Sequence, residues 1–190
     1  MRIAFLGGGN MAGALIGGLI AKGYAARDIS VIEVSPTARE KLAAQHGVRA
    51  SSAPDAATLE AHTLVLAVKP QDMKAALASL AGSVRGKLVV SIAAGVRIDA
   101  LSRWLEGHQK LVRCMPNTPA LIGAGIAGLY APPEVGADER NMAEAILRAV
   151  GEVVWVDDER LLDPVTAVSA SGPAYVFWFI EQLAASGEKL

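Results

Sequence analysis

Between Leu6 and Asn10 the chain carries three consecutive glycines, Gly7, Gly8 and Gly9, placed where a short apolar run ends and a helical pattern begins. No other junction restricts the fold so strongly. Ile3 to Leu6 reads as a buried strand, and Met11, Leu15 and Leu19 fall on one face of the helix that follows. Gly7 and Gly9 with Ala12 fit a G-x-G-x-x-A pattern. In that pattern the first glycine turns the chain, the second lets backbone approach an anion, and the third small residue lets helix and strand pack closely. The orphan N–H groups and macrodipole of the helix start favour a diphosphate without a basic side chain. Consistently, no Lys or Arg falls between Arg2 and Lys22. A glycine turn by itself is equally well explained by local structure. The strand before it, the helix after it and a second strand at Ile29 to Val34, ending about 20 residues on, make it a dinucleotide site.

The end of that second strand chooses the cofactor. Glu33 stands where an acid hydrogen-bonds a ribose 2′-hydroxyl and favours NAD, whereas Ser35, Thr37 and Arg39 are placed to receive the 2′-phosphate of NADP. Each has a structural explanation too: Ser35 with Pro36 reads as a helix N-cap and first-turn proline, and an acid simply pointing to solvent is the alternative for Glu33. We read the balance as NADP, with NAD as the alternative.

Downstream, apolar strands alternate with helices. Helices are expected at Pro36 to Gln45, Met73 to Leu80, Ile98 to Leu105 and Asp138 to Val150, and strands at Val48 to Ala50, Leu64 to Val68, Lys87 to Ile92, Leu111 to Cys114 and Val153 to Val156. Ala131 to Ala137 carries turn residues and is expected as a surface loop. Such alternation with continuous apolar strands points to an α/β fold with a doubly wound, mostly parallel sheet covered on both faces. Ligands of such sheets lie beyond the carboxyl ends of the strands, which draws attention to Ala67–Pro70, Ser91–Val96 and Met115–Pro119.

Composition narrows the partners. A net charge of −1 with scattered basic residues leaves no electrostatic footprint for nucleic acid, so a small-molecule substrate is favoured. One cysteine, Cys114, excludes an internal disulfide framework, and no apolar run approaches the ~18 residues of a membrane span. A cytoplasmic chain without a membrane partner is the expectation. His46, His62 and His108 have no second ligand at metal spacing; solvated or capping roles are expected, and no metal. Cys114 reads as a small core side chain, Lys69 as facing cofactor phosphate or water, and Asp163 with Pro164 as an N-cap and first-turn proline.

The segments FLGGGNM (Phe5–Met11), AVKP (Ala67–Pro70), SIAAGV (Ser91–Val96), MPNTP (Met115–Pro119) and SASGPAY (Ser169–Tyr175), in this order, resemble the N-terminal two-thirds of the pyrroline-5-carboxylate reductases. The first is shared with many dehydrogenases; the last four are far more specific. The resemblance implies a Rossmann-type domain over 1–160 and, over 161–190, the first helix or helices of an all-helical dimerisation domain. It implies hydride transfer from NAD(P)H to the C=N bond of pyrroline-5-carboxylate, giving proline. By it, Leu6, Gly7, Gly8, Gly9, Asn10 and Met11 hold the pyrophosphate, and Ser35 and Thr37 lie near the adenosine ribose or its phosphate. Ala67, Val68, Lys69 and Pro70, then Ala93, Ala94 and Gly95, follow the cofactor towards nicotinamide. Asn117, Ser171 and Gly172 are the candidates on the substrate side. No catalytic acid is assigned, since an already protonated imine needs mainly positioning.

Two departures matter. Ala12 replaces a glycine common in the family, which touches only local helix packing, and no Ser-Pro-Gly-Gly-Thr-like segment occurs, so the chain is expected to be truncated. Val176 to Ile180 is apolar without a break, so every face of that helix demands cover from a second chain or from further helices, which makes a homo-oligomer the expectation. The β-hydroxyacid dehydrogenases share such a nucleotide domain but use a lysine on the long interdomain helix, and Val165 to Ser186 contains none. A non-catalytic NAD(P)-binding module is the remaining alternative.

Overall fold

A computed structural model describes residues 1–188. Strand β1 (Ile3–Leu6) pairs in parallel with β2 (Ile29–Ile32) on one side and β4 (Thr63–Leu66) on the other. With β3 (Arg49–Ser51), β5 (Leu88–Ser91), β6 (Leu111–Met115), β7 (Gly125–Tyr130) and β8 (Gly151–Trp155) the order is 3-2-1-4-5-6-7-8. The first six strands are mutually parallel, so their carboxyl ends share one edge, and the order reverses beside β1.

Alternate residues of each strand feed the two faces. Ile3 and Phe5 join one core with Leu15, Ile16 and Leu19 of α1 (Asn10–Ala21), Leu42 of α2 (Pro36–His46) and Ile146 of α6 (Ala137–Arg148). Ala4 and Leu6 face the second core, with Met73 and Leu77 of α4 (Met73–Leu77) and Leu101 of α5 (Ile98–Trp104). A further helix, α3 (Ala56–Leu59), is a single turn capped by Asp55, whose carboxylate accepts the Thr58 N–H at 3.0 Å. Ala12 is fully packed, as a small third residue of the glycine pattern should be.

Several expected boundaries were too generous. The strands read as reaching Val34, Val68 and Ile92 stop at Ile32, Leu66 and Ser91, because the final apolar residues already belong to the turns. Strand β7 was not expected at all; its run holds Gly125 and Gly128, which weaken strand propensity. It pairs antiparallel with β6, since the link from Met115 to Gly125 is too short for a parallel crossover, and α6 then returns the chain to β8 parallel to β7. Cys114 is a core side chain as expected, and burial pushes its thiol pKa up.

Past β8, a 3-10 turn at Glu159–Leu161 leads into α7 (Leu162–Val165), a π-helical segment Thr166–Ala170 and α8 (Gly172–Gly187). Asp163 is not the N-cap expected of it. Asp158 caps this run by accepting the Arg160 N–H at 2.8 Å, and Asp163 instead meets the Arg97 guanidinium at 2.9 Å. The π segment lies just ahead of Pro173: Pro173 offers no N–H to Ser169, and Ser171 N–H donates to the Thr166 carbonyl, five residues back, at 2.9 Å.

One buried ion pair fastens this C-terminal run to the sheet. Arg113 of β6, whose side chain is 4% exposed, donates from Nη1 to Glu159 Oε1 at 2.8 Å, and the same oxygen accepts the Ile98 N–H that opens α5, at 2.7 Å. Removing one partner strands the other charge in the core, a loss of about 3 kcal/mol. Glu159→Gln is therefore expected to lower the urea-unfolding stability by that amount, whereas Glu152→Gln, whose partner Arg148 lies in solvent, leaves the midpoint unchanged.

Candidate functional site: a dinucleotide cleft

Gly7 adopts φ +98°, a left-handed conformation that L side chains rarely take, and a Cβ there would lie 2.7 Å from the Ala67 carbonyl oxygen at the end of β4. Only glycine passes. Its N–H donates to the Ile32 carbonyl at 2.8 Å, which fixes the turn to the end of β2. Gly8 is less confined, since its Cβ would sit 2.5 Å from Leu42 Cδ1, the end of a side chain that can turn aside, while a Cβ on Gly9 would meet nothing within 4 Å. That open side is where an anion can approach the backbone.

Helix α1 starts at Asn10 with no side-chain cap and no acidic residue in its first turn. Its first N–H groups therefore point out of a twelve-residue helix with no protein acceptor supplied by a cap. This is the donor set that a diphosphate fits, so the residues present suit a dinucleotide.

A cleft of about 670 Å³ opens beside this turn, walled by Gly7, Gly9, Ile32, Glu33, Val34, Ser52–Pro54, Ala67–Lys69 and residues of α4. Its apolar walls and few polar groups suit an adenosine. Glu33 does not point freely to solvent: Oε2 accepts the Gly8 N–H and Oε1 the Ser35 N–H, each at 2.8 Å. Ser35 also caps α2, its Oγ accepting the Ala38 N–H at 3.3 Å ahead of Pro36, as the sequence predicts. Thr37 is exposed and stands outside the cleft wall. Arg39 Nη1 donates to the carbonyls of Glu33 at 2.7 Å and Val34 at 2.9 Å. Lys69 is exposed at the rim and Pro70 opens the turn after it.

Ala93, Ala94 and Gly95 follow β5, and Asn117 follows β6, on the same sheet edge but beyond the cleft wall. Asn117 is buried. Its Oδ1 accepts the Ile126 N–H of β7 at 2.9 Å, and its Nδ2 donates to Ser169 Oγ at 3.3 Å. The π-helical segment is thereby held beside the end of β6. Ser171 and Gly172 follow it, and the Ser171 hydroxyl donates to the Thr166 carbonyl at 2.9 Å. Ser169 was not foreseen as a partner of Asn117, and no spacing in the sequence would have found that pairing.

The chain's likenesses agree with this geometry. A family model described as pyrroline-5-carboxylate reductase dimerisation matches residues 159–190, and one described as NADP oxidoreductase, coenzyme F420-dependent, matches 2–95. A pyrroline-5-carboxylate reductase of Pseudomonas aeruginosa is 45% identical over 190 residues, which are 100% of this chain and 70% of that relative. The chain belongs to the pyrroline-5-carboxylate reductase family. An Escherichia coli pyrroline-5-carboxylate reductase is 41% identical, with 96% of this chain and 68% of the relative covered. Among solved structures, a pyrroline-5-carboxylate reductase from Coxiella burnetii superimposes with a TM-score of 0.89 at 40% identity, covering 100% of this chain and 71% of that one. The Plasmodium falciparum reductase, solved with NADP bound, gives 0.86 at 27% identity over 100% and 70%. An imine reductase of Streptomyces aurantiacus shares the fold at 16% identity, with a TM-score of 0.74.

The remaining candidates are placed elsewhere. His62 Nδ1 accepts the Arg2 N–H at 3.2 Å. His108 is half-buried, and burial holds its pKa below the ordinary value. Among the described residues no group of three or more His, Cys, Asp or Glu side chains is placed to hold a metal.

Gly7→Ala tests the turn. It is expected to abolish NADPH binding in a fluorescence titration, because the added carbon forces apart the β1 and β4 ends; tight binding by that variant would contradict the role given to Gly7.

Proposed function

We propose that this chain is an NAD(P)H-dependent reductase of the C=N bond of 1-pyrroline-5-carboxylate, forming L-proline. The observation that carries it is the row of strand ends: the uncapped α1 start, Ala67–Pro70, Ala93–Gly95 and Asn117 lie on one edge, in an order a dinucleotide can follow from adenosine to nicotinamide. The high identity to named reductases over the whole chain supports it. Asn10 and Met11 would bind the diphosphate through backbone N–H groups, and Ser35 and Thr37 would flank the ribose end. When bound, the reduced nicotinamide supplies a hydride from C4 to the imine carbon. The hydride's pair forms the new C–H bond and the C=N π pair withdraws onto the already protonated nitrogen as its lone pair, so no protein acid is required for the transfer. The chain's task is orientation. Asn117, Ser171 and Gly172 are our substrate-side candidates, holding the carboxylate or ring nitrogen.

The domain division we adopt falls near residue 160, with 1–160 binding the nucleotide and 161–190 opening the helical domain; the dimerisation match beginning at residue 159 supports it. Tyr175 to Ile180 and Leu183 on α8 are each between 54% and 63% exposed, so this helix leaves aromatic and aliphatic side chains without cover. Each forgoes roughly 1.5–3 kcal/mol if left in water. A second copy of the chain is the cover we propose. No helix among the described residues is long and apolar enough to cross a membrane, and a cytoplasmic enzyme without a nucleic-acid partner is the setting we infer.

NADPH, and separately NADH, incubated with the chain should be oxidised only when pyrroline-5-carboxylate is added. Cofactor binding without turnover on any imine would favour the non-catalytic module. In sedimentation the wild type is expected to be a dimer or larger and Trp178→Glu to shift towards monomer; a stable wild-type monomer would refute the oligomer.

A further inference from the structure

Resting on the reductase reading and going beyond its substrate-side candidates, the geometry points to Ser169 as the hydroxyl that donates to the substrate carboxylate, with Asn117 holding it in that orientation. Strands β6 and β7 pair in antiparallel register down to Met115 opposite Gly128, so Ile126 is the residue that would oppose Asn117 had the ladder run on. The Asn117 side chain supplies the missing rung, its Oδ1 accepting the Ile126 N–H at 2.9 Å. A backbone N–H only donates, and that settles which end of the amide faces β7. The Nδ2 end therefore faces Ser169, whose Oγ accepts from it at 3.3 Å. Asn117 is only 8% exposed, so the amide is fixed by these partners rather than by bulk water.

An amide NH2 cannot accept, so the Ser169 proton has to point elsewhere. The other hydroxyls of this run spend their protons on main-chain carbonyls. Thr166 Oγ1 donates to Leu162 at 2.7 Å, Ser171 Oγ to Thr166 at 2.9 Å and Tyr175 Oη to Ala167 at 3.4 Å. Of these hydroxyls, among the described residues, Ser169 alone has a lone pair engaged by a side chain and a proton with no protein acceptor. It is partly exposed beside the end of β6, and β6 pairs with β5, whose end leads into Ala93–Gly95, where the nicotinamide half of the cofactor is expected. A hydroxyl in that state seeks an acceptor, and the anionic acceptor on the substrate is its carboxylate, which makes the stronger, charge-assisted bond. Ser171, its proton spent, offers lone pairs only and suits the ring N–H instead. Ser169 thus touches the substrate, while Asn117 is a positioning residue that acts through it. Together they favour an imine that carries a carboxylate over one that does not.

The test is steady-state kinetics of the full chain with NADPH on pyrroline-5-carboxylate and on 1-pyrroline, the same ring without the carboxylate, in the wild type, Ser169→Ala, Ser169→Thr, Asn117→Ala and the double alanine variant. The ratio of the two kcat/KM values is the readout, because a merely structural loosening of the π segment slows both imines together. Ser169→Ala is expected to lower the ratio about tenfold, through a higher KM for pyrroline-5-carboxylate with kcat little changed, and Ser169→Thr, which keeps the hydroxyl, to restore most of it. Asn117→Ala is expected to lower the ratio in the same sense, and the double variant to fall no further than Ser169→Ala alone, since both substitutions remove one contact. The Ser169 variants carry the test even if Asn117→Ala does not fold. An unchanged ratio in Ser169→Ala, with an active wild type, overturns the role of Ser169 and leaves the reductase reading intact; strictly additive losses in the double variant overturn the action of Asn117 through it. A wild type that neither reduces pyrroline-5-carboxylate nor binds L-proline in a calorimetric titration with NADP present overturns the reductase reading and this inference with it.

Discussion

Everything in this molecule is arranged around the passage of Gly7 beneath the carbonyl of Ala67. With a clearance that a single carbon would fill, the turn after β1 can cross the end of β4 only as glycine, in a left-handed backbone conformation. That crossing lets the in-register parallel pairing of β1 with β4 run to the last residue of both strands. It also aims the start of α1 across the sheet edge. The far end of the helix is fixed by a second close approach, where a Cβ on Gly18 would lie 2.5 Å from the Ala149 carbonyl oxygen at the turn into β8. A helix held by contacts at both ends presents its uncapped N–H groups at a fixed place, and a fixed donor set is what an anion site requires.

The charges around this edge are few and constrained. Glu33 is held by backbone donors and Arg39 by backbone acceptors, and among the described residues neither has a side-chain partner. Farther along, Arg113 and Glu159 tie β6 to the segment leading to α8, while Asn117 ties the end of the same strand to β7 and to the π-helical run. Two independent fastenings thus bring the Ser169–Gly172 region to the end of the sheet where the nicotinamide half of the cofactor is expected. The exposed apolar side chains of α8 then extend away from a well-packed α/β domain.

Much of this was legible in the residues. Buried parallel strands read as unbroken apolar runs, so β1, β4, β5 and β6 declared themselves, and Ser35 with Pro36 announced the start of α2 by cap chemistry that is wholly local. What escaped depended on contacts remote in sequence. Strand β7, diluted by glycines, exists because β6 and β8 flank it. Asp163 looked like a cap by its neighbours, yet Arg97, 66 residues away, claims its carboxylate. Glu33 looked solvent-facing or ribose-facing, and its bond to the Gly8 N–H, across 25 residues, follows from the β1–β2 register rather than from any local pattern.

The central claim is that the glycine turn and the first N–H groups of α1 hold a dinucleotide diphosphate. Amide chemical shifts of the isotope-labelled chain, followed as NADPH is added, test it most directly. The account predicts that the largest changes fall on Gly9, Asn10 and Met11, with smaller ones at Ala67–Val68 and Ala93–Gly95 along the same sheet edge. Saturable changes confined to another surface, with these amides unmoved, would contradict it.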